Sequence, residues 1–404
     1  MRQPIPRFVR ATAIALTAVS GPVLAADAGN AFNPKISLVL QGTYANYSND
    51  SPIHIPGFLL STDTEFRPAG FSLRESELAV EANVDDQFHG FANIALDNNA
   101  DGSTKVNVEE AYINTTALPY GLVAKVGRFY SDIGYLNHVH THAWDFVDAP
   151  LVYRAMLGDQ VSDDGGQLRW VAPLNVFLEF GGELLRGGAF PGGGSHRSGI
   201  PAKSVFAHFG DDLNDSSSYR LGLSYYRVDD GDRSTTDDLG TTAFAGHSGL
   251  GIFDAIYKWA PHGNPTVHNA IVQGEYFYRR EAGTLNFAPP SGTPVNSDYR
   301  GHQSGFYLQG VYQFIPHWRV GLRYDRLESS NALSNAPAGT SLATLADNAD
   351  TPERYSAMVD WSHSEFSRLR LQYNRDRSRV GGAGDNEIFL QYIFSLGSHP
   401  AHQF

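Results

Sequence analysis

The chain has 404 residues, no cysteine, a net charge of −13, and 20 Tyr, 24 Phe and 41 Gly against 3 Met. The missing cysteine excludes disulfides, thiolate metal sites and cysteine nucleophiles, and the acidic balance argues against nucleic acid as a partner. Aromatic residues and glycine lean the composition toward strands, turns and an all-β class.

The first 25 residues carry Arg2, Arg7 and Arg10, an apolar run from Ala11 to Val19 and a small-residue exit ending at Ala25. That layout predicts a secretory signal peptide over 1–25 and an exported mature domain over 26–404. Beyond it no apolar run approaches the ~18 residues of a membrane helix, whereas a barrel strand needs only about 9 to 11 residues of alternation.

Such alternation recurs throughout the chain. It begins with Ile36, Leu38, Leu40 and Tyr44, then Leu78 to Val84, a turn at Asp85-Asp86-Gln87, and Phe88 to Leu96. Val106 to Asn114 and Leu122 to Val126 follow, and a long interruption separates them from Leu168 to Ala172 and Val176 to Leu184. A loop around Gly192-Gly193 reads as solvent-exposed. Next come Val205 to Phe209, Tyr219 to Tyr225, an acidic loop from Asp229 to Asp238, Phe253 to Trp259 and Ala270 to Tyr278. Phe306 to Phe314, Trp318 to Tyr324, Tyr355 to Trp361, Leu369 to Tyr373 and Ile388 to Leu396 complete sixteen segments.

An even number of segments joined alternately by short turns and long loops predicts a transmembrane antiparallel β-barrel of about 16 strands in the outer membrane of a Gram-negative bacterium, facing lipid with its apolar positions. Aromatic residues at the segment ends fit an interfacial girdle. The interruption over 130–166 falls at the third outward loop, so it is expected to fold into the lumen as a constriction. The alternate wall positions become pore-lining candidates: Glu77, Glu81, Lys125, Glu179 and Glu183 on the earlier strands, Arg319, Arg323, Arg368 and Arg370 on the later ones. Acids and bases thus segregate around the wall, which would set up a transverse field. The competing reading is that the arginines pair with Asp325, Asp360 and Asp376.

Within the interruption, His138, His140 and His142 share one side of an extended segment, with Asp145 nearby. Three imidazoles are a workable zinc set, but alternate residues sit ~6.5 Å apart on a straight strand, so the loop would have to bend. The leading expectation is no cofactor, with histidines hydrogen-bonded to the inner wall; zinc at His138, His140 and His142 is the alternative. Near the C-terminus, His399 and His402 read as a solvated tail before Phe404, and Pro400 ends the last strand earlier. Gly246-His247-Ser248-Gly249-Leu250 lacks the last glycine of a nucleophile elbow, and no Walker pattern occurs, so no enzyme is expected.

The stretches YKWAPHGN from Tyr257, VYQFIPHWRVGLRYDRL from Val311, DWSHSEFSRLRLQYNRDRS from Asp360 and LQYIFSLGSHPAHQF from Leu390 resemble porin-like outer-membrane proteins related to the phosphate-selective porins. Many of these carry the label of a zinc-regulated, TonB-dependent outer-membrane receptor. The resemblance implies a barrel with an arginine-lined, anion-favouring pore and, as in many porins of this size, a homotrimer. A TonB-dependent receptor would need a plug domain ahead of about 22 strands, whereas strand patterning here starts within roughly ten residues of the cleavage site. The expected function is therefore passive diffusion of small hydrophilic solutes or ions, with outer-membrane lipid around the barrel; a zinc-linked uptake receptor is the alternative.

Overall fold

The computed structural model describes residues 33–397 apart from 50, 62–63, 65–67, 99–102, 194–198 and 383. The signal peptide 1–25 and the tail with His399, His402 and Phe404 lie outside the described residues. Sixteen antiparallel strands form one closed sheet. They are β1 (Lys35–Tyr47), β2 (Gly70–Asn83), β3 (Phe88–Asn98), β4 (Thr104–Thr115), β5 (Leu122–Tyr130), β6 (Ser162–Val171), β7 (Phe177–Leu185) and β8 (Ala202–Asn214). The second half comprises β9 (Ser217–Thr236), β10 (Thr241–Trp259), β11 (Asn269–Ala288), β12 (Val295–Ile315), β13 (Trp318–Ser329), β14 (Glu353–Ser364), β15 (Ser367–Asp376) and β16 (Asp385–Gly397).

Each strand pairs with its sequence neighbours, and β1 closes the ring on β16 from Ser37↔Gly397 to Tyr47↔Glu387. All sixteen predicted segments lie on these strands. A seventeenth, two-residue piece, Ala332–Leu333, merely bridges to Tyr299 and Arg300 of β12.

Period two puts alternate residues on opposite faces. On β9 the outward positions Leu221, Leu223 and Tyr225 are exposed, and Ser224, Tyr226 and Val228 between and beyond them are buried inside. The outward face also locates the membrane. On β12 it changes from Leu308, Tyr312 and Phe314 to exposed Asn296, Asp298, Arg300 and His302 in the half that rises beyond the lipid. This rise explains one departure from the sequence reading. The acidic run from Asp229 is not all loop, because β9 continues to Thr236 and β10 resumes at Thr241, extending the wall outside the bilayer.

The outer half of the lumen is filled by three loops. Residues 131–161 between β5 and β6 run inward and carry helix α1 (Leu151–Leu157), whose residues other than Arg154 are buried. The β1–β2 connection adds Ile53, Ile55, Phe58 and Leu60; these pack with Ile133, Leu136, Trp144 and α1 against Tyr226, Leu250, Ile252, Phe277, Tyr307 and Leu327 of the wall. The β13–β14 connection adds helix α2 (Ser341–Ala346), whose Leu342 and Leu345 cover Leu59, Phe244, Leu285 and Phe287. Gly57 sits at this junction. Its φ is +78°, and an added Cβ would lie 1.9 Å from Ser329 Oγ, so a side chain would push the loop off the wall.

Two expectations need correction. The Gly-rich stretch is not a solvated loop at its start, since Pro191 and Gly192 are buried and the Arg233 guanidinium donates to the Pro191 carbonyl. Nor do the alternate wall positions all line a pore: inward positions on β9 to β13 are apolar where they meet the loops.

If Leu223 faces hydrocarbon near mid-membrane, Leu223→Arg should destabilise the folded barrel by about 2 to 4 kcal/mol. Thr284→Lys, on the exposed part of β11 above the apolar band, should have little effect. Urea titration of both variants in lipid vesicles measures the difference; equal midpoints would refute this placement of the membrane.

Candidate functional site: the inward loop and its wall

A chain that crosses a lumen without secondary structure must find partners for its peptide groups. The wall supplies them. Glu183 of β7 accepts from the Asp132 amide at 2.9 Å and from the Ser131 hydroxyl. Asn137 ties the two ends of the loop together, donating to the Ser131 and Val161 carbonyls and accepting from the Val161 amide.

Glu275 of β11 accepts from the Tyr135 and Leu136 amides and from the hydroxyls of Tyr153 and Tyr307. Gly134 lets the chain come this close, because a Cβ there would lie 2.3 Å from the Glu275 carboxylate. Farther along, Gln372 accepts from the Val147 amide, Asp325 accepts from the Leu151 amide, and Arg354 donates to the Ala149 carbonyl.

The loop also matches the wall in charge. Its histidines face the acids of β2 and β4. His140 Nδ1 lies 2.8 Å from Glu77 Oε2, and its Nε2 lies 3.0 Å from Glu110 Oε2. His142 Nδ1 lies 2.6 Å from the other Glu77 oxygen, the two imidazoles stack at 5.7 Å, and Thr141 between them donates to Glu75. Burial alone would drive the proton off His140, but Glu77 and Glu110 hold its pKa well above the ordinary value.

A few residues on, the loop aspartates face the arginines of β13, β14 and β15. Asp145 pairs with Arg319 at 3.0 Å. The Asp148 carboxylate receives Arg323 at 2.8 Å, Arg354 at 2.8 Å, Gln372 at 2.6 Å and Asn374 at 2.9 Å. Burial would raise that carboxyl, and the charges of Arg354 and Arg323 hold it far below the usual range instead. Its contribution to docking is therefore complete above the unfolded value near ~3.9 and is lost only as pH falls through the depressed one.

Several pore-lining candidates consequently belong to the loop's mounting. Glu77, Glu183 and Arg323 are buried against the loop, whereas buried Arg370 stays within the wall and shares Asp360 with Arg319. The ion-pair reading of the arginines holds for Asp325 and Asp360. Glu179 is buried between Arg169 and His208, while half-buried Glu81 takes Lys35 at 3.2 Å. The three-histidine set does not assemble: His138 turns to Asp132, 3.9 Å away, and leaves His140 and His142 with Glu77. Asp145 is likewise no ligand, being paired with Arg319.

Lys125, Arg319 and Arg368 do keep partial exposure inside the barrel next to the short periplasmic turns, and Arg368 also donates to the His142 carbonyl. Sequence reading overlooked Arg169, Arg220 and Lys258 at the same level on β6, β9 and β10. Each sits at the period-two position opposite an exposed apolar neighbour, Leu168, Leu221 and Tyr257 respectively, which was the available signal. Asp148, Glu275 and Arg354 were overlooked because their roles depend on contacts 122 to 226 residues away in sequence.

No family model matches the chain. It is 32% identical over 353 residues to an uncharacterised protein of Aquifex aeolicus, covering 83% of this chain and 70% of that protein. Among solved structures it is similar to OmpT of Vibrio cholerae in a trimer form (10% identity, 91% of this chain and 100% of that one, TM-score 0.53). It is also similar to the outer-membrane channel DcaP of Acinetobacter baumannii (13% identity, 90% and 97%, TM-score 0.54). These likenesses concern the fold, that of a porin-like barrel of the bacterial outer membrane.

Replacing Asp148 by Asn keeps its shape but removes its charge from between two buried guanidinium groups. The expected loss in loop docking is about 3 kcal/mol, the lower end for a broken buried pair because Asp325 still faces both arginines. Hydrogen exchange at the Val147 and Leu151 amides should accelerate by roughly two orders of magnitude, with the strand amides unchanged. Unaltered exchange at those two positions would show that Asp148 does not hold the loop.

Proposed function

The chain belongs to the same family as the uncharacterised Aquifex aeolicus protein, and we propose that it is a passive outer-membrane channel for small hydrophilic solutes, favouring anions. What supports this reading is the inner mouth of the barrel. Lys125, Arg169, Arg220, Lys258, Arg319 and Arg368 come from six strands spread around the ring and keep partial exposure just inside the short turns. At the same level the acids are engaged: Asp254 faces Arg220 at 3.8 Å, Asp360 takes Arg319 at 2.7 Å, Glu179 takes Arg169 at 3.2 Å and Glu81 takes Lys35 at 3.2 Å, so the preference rests on the exposed parts of the six cations.

Cations distributed around a low-dielectric mouth concentrate anions there and repel cations. The resemblance of the stretches from Tyr257, Val311, Asp360 and Leu390 to proteins related to the phosphate-selective porins carries the same expectation of a basic pore. Solutes move down their gradient in this reading, with no chemical step, so the protein acts as a channel rather than an enzyme. The fold-related Acinetobacter protein is described as an outer-membrane channel. Assembly as a homotrimer is part of the proposal, supported by the trimer form of the Vibrio barrel.

The loops that fill the outer half set the size of the path. The proposal therefore carries the expectation of a small unitary conductance, set by whatever gap the docked loop leaves.

Purified, heat-modifiable protein inserted into a planar bilayer should give small conductance steps, appearing in threes for a trimer. Under a potassium chloride gradient the reversal potential should take the anion-selective sign, and Lys258→Glu should shift it toward cations. Folded protein that never conducts would sink the channel reading, and a cation-selective wild type would sink the anion preference.

A further inference from the structure

The junction of the inward loop with β2, β3 and β4 gathers four acidic side chains against two imidazoles among the described residues. Glu75, Glu77, Glu109 and Glu110 converge there, and their partners are His140, His142, Thr141, Asn93 and the Tyr130 amide. Of these, the two imidazoles alone can carry a positive charge. Asn93 is fully buried among them. Its amide nitrogen serves Glu77 at 2.8 Å and Glu109 at 3.2 Å, and its amide oxygen has no hydrogen-bond partner. A buried carbonyl oxygen left bare beside four carboxylates is costly unless a cation or donor faces it.

The geometry of Glu77, His140 and His142 says which cation would fit. One ligand atom from each lies within 4.8 Å of the others, and both imidazoles turn a nitrogen toward the two oxygens of one carboxylate. Magnesium and calcium sites are built from oxygen. Two imidazole nitrogens with a carboxylate instead suit a borderline transition-metal ion, held at ~2.0 to 2.2 Å. Shifts of about an ångström in the side chains would bring all three to such distances around one centre. Glu110, now on His140 Nε2, would then orient that ring from behind, as carboxylates do for metal-bound histidines.

We infer that Glu77, His140 and His142 form a binding site for one divalent transition-metal ion, clipping the inward loop to β2. Two ligands belong to the loop and one to the wall, so the ion binds the docked loop in preference to a displaced one and stabilises it by linkage. His138 takes no part.

The test is calorimetric titration of the chelator-stripped, folded barrel with zinc chloride. One ion per chain should bind to the wild type and to His138→Ala, and affinity should fall by ~10- to 100-fold or vanish in Glu77→Gln and His142→Ala. Heat-modifiable mobility checks that each variant is folded. Copper(II) in the wild type gives a second reading that needs no variant, since its paramagnetic resonance spectrum should show hyperfine splitting from two imidazole nitrogens. No binding to the wild type, undiminished affinity in Glu77→Gln and His142→Ala, or a copper spectrum without coordinated nitrogen would each overturn the assignment.

Discussion

The structure depends on how the peptide groups of an irregular segment are satisfied inside a barrel. A loop within the lumen has no ladder of its own, and each amide it turns from water needs an acceptor. The barrel meets this with acidic and amide side chains at inward positions. Glu183, Glu275, Asp325 and Gln372 take loop amides in turn, as though the wall read the loop's backbone residue by residue. Carboxylates suit the task because an ionised oxygen accepts more than one bond and forms stronger ones than a neutral acceptor. Charges that would mark an ion pathway in an open pore here support chain.

The same segment resolves the segregation of charge around the wall. With acids on β2 and β4 and arginines on β13 to β15, an empty lumen would carry a strong transverse field. The loop places His140 and His142 against the acids and Asp145 and Asp148 against the arginines, so it lies in the field in the favourable sense. Polarity that changes sign within the nine residues from His140 to Asp148 fixes the direction in which the loop crosses. A reversed crossing would set imidazolium against guanidinium and carboxylate against carboxylate.

The barrel itself was legible in sequence because lipid imposes period two on every strand, and a one-residue slip would expose the wrong face. Each of the sixteen segments read from alternation corresponds to a strand for that reason. The infolding of the loop was legible from its length and place in the order. Its mounting was not. Arg323 and Arg370 look the same in sequence whether they face water or a buried aspartate, and what decides is Asp148, some 175 residues from Arg323, for the one and Asp360 for the other. Likewise, the spacing of His138, His140 and His142 allowed a zinc set only if the loop bent, and which residues a bend brings together is not written in the spacing. The turn over 134–138 leaves His138 with Asp132, and the 3₁₀ turn at Thr141–Ala143 sets His142 beside His140. The apolar fill was partly visible: in Leu250-Gly251-Ile252-Phe253 residues on both faces are apolar, which a strand between lipid and water would not require.

The two attachments of the loop differ in chemical character, and this bears on how it could be controlled. Asp148 is held by guanidinium groups, which keep their charge at any physiological pH, and by neutral amides from neighbouring strands. That side is a fixed anchor. The opposite attachment consists of imidazoles against carboxylates, where Glu77 and Glu110 hold the His140 pKa well above its ordinary value. The loop is therefore held by fixed charges on one side of its crossing and by protonatable groups on the other. Its apolar contacts with α1 and the β1–β2 connection lie mainly toward β9 to β13, so they oppose displacement of that part of the loop.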